Sequence, residues 1–236
     1  MQQKNKGKEF ILVKKTNEAE NTTSLFLKSA DNASYPFIAG QYVNITIPFI
    51  KGHSKSYTIS SPPNKTFIVI TVKRKGNFSS ALVDLKIGQK LILEGPLGYF
   101  YPGNGGNDLV FIAGGIGITP FFSIISDRIG SKQKNKIYLF YSNKTLKSTS
   151  FFDKLNNFAK DGDVYKAMYF LTQEKNKNSL INEFGRINSQ TLKKYLNNFA
   201  KKHFYICGSI EFVNDIWKML KVCGVAEKNI FTEAFF

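Results

Sequence analysis

The run Phe111-Ile112-Ala113-Gly114-Gly115-Ile116-Gly117-Ile118-Thr119-Pro120 constrains the fold more than any other stretch of this 236-residue chain. An apolar strand runs into closely spaced glycines, then Thr-Pro, then a second apolar run. Glycine permits positive φ and lets a ligand approach the backbone closely. Thr119 reads as an N-cap and Pro120 suits the first helical turn, so a helix is predicted over 120–129. Strand, glycine turn and helix N-terminus in succession bring unpaired N–H groups and the positive end of the helix dipole to one point. Phosphate is the chemistry that fits there, and a plain structural turn is the alternative. The spacing is not the GxGxxG dinucleotide fingerprint, because Pro120 stands where the third glycine would be.

Around this junction the pattern of the chain changes. Beyond it, strands are predicted at 109–113, 137–141, 165–171, 203–207 and 229–232. They alternate with helices at 120–129, 151–159, 189–197 and 210–222, which argues for a parallel sheet with helices on both faces. Before it, apolar and β-branched runs fall at 10–13, 24–27, 42–47, 57–59, 67–72 and 90–93, separated by Gly, Pro, Asn and Asp. Such a series predicts a small antiparallel β-barrel, with one short helix at 79–85. Pro102-Gly103-Asn104-Gly105-Gly106-Asn107 reads as a linker, and 173–178 as a polar loop. The expected architecture is therefore two-domain: an antiparallel barrel over 1–103, then an α/β parallel-sheet domain over 107–236.

Composition narrows the setting. Hydrophobic residues make up 42 % and aromatics 14 %, enough for real cores. No apolar run approaches the ~20 residues that span a bilayer. The N-terminus is polar and basic with no apolar segment behind it, unlike a secretory signal. Two cysteines cannot supply a four-thiolate iron–sulfur cluster or a cysteine-rich zinc site. Cys207 closes a predicted strand and Cys223 the helix that follows, which argues against a disulfide and for a reducing, cytoplasmic compartment. The formal charge of +16 points to an acidic partner, though a lysine- and asparagine-rich proteome would give the same balance.

Three further segments carry chemistry. Lys73-Arg74-Lys75-Gly76-Asn77-Phe78-Ser79-Ser80 joins a strand to the short helix, and its cations, glycine and serine cap suit a phosphate. An ordinary capped helix beside solvated charges is the alternative. In His53-Ser54-Lys55-Ser56-Tyr57-Thr58-Ile59-Ser60-Ser61-Pro62, strand alternation separates Lys55, Tyr57 and Ile59 from Ser56, Thr58 and Ser60. A cation, a ring and hydroxyls at one strand end suit a flat, phosphate-bearing cofactor; a mixed edge strand would look the same. Tyr205-Ile206-Cys207-Gly208-Ser209 is another strand running into glycine and a helix, where a lone cysteine more often packs than reacts.

In order and spacing these segments resemble the ferredoxin–NADP⁺ reductase family over nearly the whole chain. The family's flavin motif RxYS(T)xxS is matched by Lys55-Ser56-Tyr57-Thr58-Ile59-Ser60-Ser61, with Lys in place of Arg. Its pyrophosphate motif GxxS is matched by Gly76-Asn77-Phe78-Ser79, and Gly95-Pro96-Leu97-Gly98 resembles the turn that closes the barrel. Gly114-Gly115-Ile116-Gly117-Ile118-Thr119-Pro120 matches GGxGxTP, Cys207-Gly208 the CG pair, and Glu233-Ala234-Phe235 the terminal ExF.

The resemblance implies FAD and NAD(P)H as cofactors. It implies that Tyr57 packs on the isoalloxazine, with Thr58 near flavin N5. Lys55, Ser79, Ser80 and the backbone from Gly76 would hold the pyrophosphate, with Ser56, Thr71, Val72, Lys73 and Phe78 around the flavin. Lys55 keeps the charge of the usual arginine but loses its two-pronged grip, which leaves FAD against FMN open. Gly114, Gly115, Gly117, Thr119 and Pro120 would hold the nicotinamide nucleotide, and Cys207, Gly208 and Glu233 would line its pocket. Thr58, Cys207 and Glu233 are thus the implied catalytic set, and Phe236 the implied cover of the flavin ring, with a plain apolar tail as the alternative. Ser142, Asn143 and Lys144, with Arg186, would meet a 2′-phosphate and favour NADPH, whereas Gln173 stands where relatives carry arginine.

The resemblance implies a stand-alone reductase serving an acidic electron carrier, ferredoxin or flavodoxin. A free-flavin reductase or an oxygenase reductase component is the alternative within enzymes. A basic nucleic-acid-binding module is the alternative outside them.

Overall fold

The structure is a computed structural model and describes residues 7–50, 54–63, 65–103, 105–129, 135–161, 164–175 and 181–235. Its first half is built from β1 (Lys8–Ala19), β2 (Thr22–Ser29), β3 (Tyr42–Thr46), β4 (Ser54–Thr58), β5 (Ile68–Lys73), the helix α1 (Asn77–Asp84) and β6 (Lys90–Leu97). The strands form one antiparallel sheet in the order β4-β3-β6-β1-β2-β5. A bridge between Ile59 and Ile70 joins its two edges, so the sheet curls into a barrel. Alternate residues point inward: Phe10 and Leu12, Leu25 and Leu27, Val43 and Ile45, Ile70 and Val72, Leu91 and Leu93 fill the barrel. Leu82 of α1 and Leu85 just beyond it join the same core.

The second half contains β7 (Asp108–Gly114), α2 (Ile118–Ile129), β8 (Ile137–Asn143), α3 (Phe152–Phe158), β9 (Tyr165–Leu171), β10 (Glu183–Phe184), α4 (Ser189–Tyr195), β11 (Lys202–Ser209), α5 (Ile210–Val222) and β12 (Ile230–Phe235). All six strands are parallel, in the order β10-β9-β8-β7-β11-β12. A parallel sheet is covered on both faces, which is why β7 is almost continuously apolar. Phe111 and Ala113 pack toward α2 and α3, and Val110 and Ile112 toward α4 and α5. The strand order reverses at β7, which lies between β8 and β11. A ligand crevice opens at the carboxyl ends of the strands at such a point.

The halves share a seam. Ala39 and Phe100 belong to the core beneath α2. The Phe100 ring lies 5.8 Å from Phe121 and 5.6 Å from Tyr205. Ser123 Oγ, fully buried on α2, donates to the Ser61 carbonyl at 2.6 Å.

Several local expectations are corrected. The first helix starts at Asn77, not at residue 79, because extended Gly76 is its N-cap. Ser79 sits inside the first turn, where its Oγ accepts from the Lys75 and Gly76 amides and donates to the Gly76 carbonyl. Thr119 is not an N-cap either: a 3-10 turn over Gly115–Gly117 leads directly into α2 at Ile118, and Thr119 Oγ1 donates to the Ile116 carbonyl. β1 runs on to Ala19, because β2 pairs with it over that whole length despite its exposed charges. β6 continues through Gly95 and Pro96 to Leu97, where a turn was expected. The two-residue β10 carries no sequence pattern of its own and exists through its pairing with β9.

Candidate functional site

The end of β4, the β5–α1 connection and the crevice at β7, β11 and β12 face one another across a cleft of about 820 Å³. The barrel supplies Lys55, Ser56, Tyr57, Thr58, Thr71, Lys73, Gly76, Phe78 and Ser79 to its wall, and the parallel sheet supplies Thr119 and Glu233. The structure therefore joins residues from five separate sequence segments into one site. Lys75, one of the cations expected at the phosphate, also lines it, as do Tyr42, Asn77, Ile116, Ala234 and Phe235, to which the sequence gave no individual role. Tyr42 lacks any motif; it arrives because β3 pairs with β4, Tyr42 opposite Thr58.

The barrel side offers a ring wall and a cationic rim. Tyr57 and Phe78 lie near parallel, 18° between planes and 6.2 Å between centroids. Burial pushes the Tyr57 phenol up to about 12, so it stays neutral. Thr58 is 5 % exposed and its Oγ1 is buried without a hydrogen-bond partner among the described residues. A buried hydroxyl left unpaired is costly, which marks it as awaiting a ligand atom. Lys55, Lys73 and Lys75 are exposed around the start of α1, where Gly76 leaves open space: nothing lies within 4 Å of the Cβ that a larger residue would carry.

Thr71 and Ser79 line the cleft while serving hydrogen bonds within the barrel, whereas Val72 and Ser80 lie off its wall. Thr71 Oγ1 is engaged by Ser24 Oγ at 2.8 Å and Ser60 Oγ at 2.7 Å, so this chain of hydroxyls braces the wall. The Val72 side chain is fully buried in the barrel core. Ser79 caps its own helix, and Ser80 lies off the cleft wall.

On the other side, the glycines serve close packing. A Cβ on Gly117 would stand 2.3 Å from the Cys207 carbonyl oxygen and 2.7 Å from the Gly208 nitrogen. Gly114 and Gly208 let the Phe212 ring pack where a Cβ on either would meet it at 2.9 or 2.7 Å. Gly115 differs: its φ is +54°, with nothing within 4 Å of an added Cβ, so its backbone faces open space. Pro120 is buried in the first turn of α2. Cys207 is fully buried behind the Gly117 turn, off the cleft wall, and burial with the neighbouring Glu233 charge pushes its thiol well up. Glu233 Oε2 is buried without a hydrogen-bond partner among the described residues, and burial pushes its carboxyl up to about 7.

Ser142 lies at the end of β8 in register with Gly114, Asn143 is buried beside it, and Lys144 is exposed. Arg186 follows β10, two strands from β8, a spacing of about 10 Å. Between them the sequence reading missed Glu174, whose Oε2 accepts from the Leu146 amide at 3.0 Å. Phe236 lies outside the described residues. No helix among the described residues is long and apolar enough to cross a membrane.

The chain matches the family described as Oxidoreductase FAD-binding domain over residues 9–101. It matches Oxidoreductase NAD-binding domain over residues 111–218. It is 30 % identical over 236 residues to a flavohemoprotein of Bacillus subtilis, covering 97 % of this chain and 59 % of that protein. The chain thus spans less than two thirds of the curated relatives it matches. The FAD/NAD-binding domain of nitric oxide dioxygenase from Vibrio cholerae shares its fold with a TM-score of 0.87 at 23 % identity, over 98 % of this chain and 99 % of that one. A ferredoxin NADP⁺ reductase from Neisseria gonorrhoeae shares it with a TM-score of 0.83 at 20 % identity, over 98 % and 99 %. With both domains matched in this order, the chain belongs to the oxidoreductases in which an FAD-binding domain precedes an NAD-binding domain, and its two-domain fold is that of the ferredoxin–NADP⁺ reductases.

Proposed function

We propose that this module moves a hydride from NAD(P)H to FAD and passes the electrons to a one-electron carrier. The flavin domain would span 1–103 and the nucleotide domain 107–236. The observation that carries the reading is the single cleft in which unpaired Thr58 from the barrel and unpaired Glu233 from the parallel sheet share one wall. When bound, FAD accepts two electrons from reduced nicotinamide and releases them singly.

The residues divide the work. Lys55, Lys73 and Lys75 neutralise the pyrophosphate at the start of α1, where Gly76 lets it approach the backbone. Tyr57 and Phe78 form the flat apolar wall for the ring system, and Thr58 Oγ1 hydrogen-bonds its polar edge. The amides of the Gly115–Gly117 turn and the start of α2 hold the pyrophosphate of the nicotinamide nucleotide. Glu233 takes the carboxamide end, held in place by the pairing of β12 with β11, where it stands in register with Cys207. Bringing the reacting atoms together and keeping water out is the main task of the protein.

Lys144 and Arg186 support NADPH, while the Glu174 carboxylate beside the Leu146 amide opposes a 2′-phosphate. The charge of +16 supports an acidic electron carrier such as ferredoxin or flavodoxin, steered by the basic surface. The name flavohemoprotein on the relatives supports a haem protein as the acceptor. Two free thiols support a reducing compartment such as the cytoplasm.

The test is an absorption spectrum of the purified protein followed by anaerobic titration with NADH and NADPH. Flavin bands that bleach with either nucleotide are expected; bands that bleach with neither would sink the reading. Reoxidation by a haem protein, a ferredoxin and a flavodoxin, each at low and high salt, then identifies the acceptor class.

A further inference from the structure

We propose that the β1–β2 hairpin is a strap that sets the angle between the two cofactor-binding domains, and that Glu18 and Lys154 are positioning residues for hydride transfer. The inference rests on the reading above.

The seam under α2 joins the halves through Phe100, Ala39 and the Ser123–Ser61 hydrogen bond. Such a line of contact acts as a hinge. The second attachment lies at the hairpin. β1 runs to Ala19, and past that point the Glu20 amide donates to the Lys147 carbonyl at 2.9 Å. Beside it, Lys154 Nζ of α3 donates to both carboxylate oxygens of Glu18, each at 2.8 Å. Two separated attachments remove the rotation that a hinge alone would allow.

The Glu18–Lys154 pair is unlike the surface pairs of this protein. The Glu18 side chain is only 5 % exposed, so little water remains to replace its partner. The Lys154 ammonium also lies 5.3 Å from the Phe151 ring centroid and 6.0 Å from that of Phe122, two rings stacked 3.9 Å apart. Lys154 itself is 48 % exposed, so it is the buried Glu18 carboxylate, with little water to turn to, that fixes the geometry of the pair.

The strap also ends at both cofactor positions. On the barrel side, the Arg74 amide donates to the Asn21 carbonyl at 2.8 Å, and Thr22 pairs with Lys73. The hairpin tip is therefore bonded to the strand end that carries Lys73, Lys75 and Gly76. On the other side, Phe122 belongs to α2, the helix whose first turn carries Thr119, and Lys147 belongs to the turn after β8. A loosened strap would let the two sites drift apart without emptying either one. A displacement of about 1 Å between reacting groups costs up to about 100-fold in rate.

The test uses the full chain loaded with FAD. Variants Glu18→Gln, Lys154→Met, Glu18→Lys and Lys154→Glu, and the double reversal Glu18→Lys with Lys154→Glu, are compared with the native chain. Anaerobic stopped-flow gives the limiting rate of flavin reduction by NADH and NADPH, and absorbance gives FAD per chain. Ferricyanide reoxidation of dithionite-reduced protein reports the flavin without the nucleotide. The single changes are expected to slow flavin reduction about tenfold or more. FAD content and ferricyanide reoxidation should stay as in the native chain. The double reversal should recover to within about threefold of native.

Single variants that reduce at the native rate overturn the strap. So does a slowing that merely tracks FAD loss, or a double reversal no better than the singles. A native chain whose flavin neither nucleotide reduces overturns the functional reading instead.

Discussion

Cys207 and Glu233 stand directly opposite one another across the parallel pair β11–β12, at the edge of the switch-point crevice. The carboxyl is pushed up to about 7 by burial, and its charge helps push the buried thiol up. The pair therefore favours two neutral side chains and is closed to thiolate chemistry.

A raised carboxyl makes stability depend on pH. The unfolded chain loses this proton near 4.5 while the folded chain holds it to about 7. The stabilisation is full below 4.5 and is lost as pH rises through 7. Its size is on the order of 2 kcal/mol after allowance for partial exposure. In Glu233→Gln this fall should vanish. Denaturant unfolding of both proteins from pH 4 to pH 8, without nucleotide, checks it; parallel curves would refute the assignment.

Thr58→Val keeps the shape of the residue and removes the unpaired hydroxyl. In flavin-free protein the change should stabilise by about 1 kcal/mol, read as a higher melting temperature. With FAD bound, flavin reduction should slow about tenfold, since the hydroxyl no longer meets the cofactor. A variant that melts lower when flavin-free would show that Thr58 is already satisfied.

The glycines of the β7–α2 turn should respond differently. Gly117→Ala drives a Cβ into the β11 backbone and should cost about 3 kcal/mol or more, or prevent folding. Gly115→Ala meets open space at positive φ and should cost about 1 kcal/mol. It should also keep its FAD while KM for the nicotinamide nucleotide rises. Thermal unfolding and steady-state kinetics on the two variants separate packing from ligand approach.

Nucleotide choice should follow the charges after β8 and β9. Glu174→Gln removes the carboxylate held by the Leu146 amide and should shift the ratio of kcat/KM toward NADPH, by about three- to tenfold. Lys144→Ala should shift it the other way by a similar factor. Ratios that do not move in either variant would place the 2′ position elsewhere.

Much of the architecture is legible in local pattern. Period-two runs give the barrel strands, as in Leu25 and Leu27, because one face of each strand is buried. The alternation of apolar strands with helices gives the parallel sheet, because both faces of β7 are covered. Local pattern misleads where a partner decides. β1 outruns its apolar core because β2 pairs with it, and Ser79 caps a helix that the serine itself seemed to start. Val72 lies one residue from the end of β5, beside the phosphate loop, yet its pleat turns it inward.

By itself, the sequence determined the order of elements and the turn at Gly114–Gly117, because these depend on neighbours in the chain and on the absence of a Cβ. Only the tertiary structure decided that Thr58 and Glu233 share one cleft, that Cys207 is sealed behind Gly117, and that Glu18 reaches Lys154. Those relations join residues far apart in the chain. They depend on barrel closure and on the crossover that sets β11 beside β7, and the raised Glu233 carboxyl depends on the burial these produce.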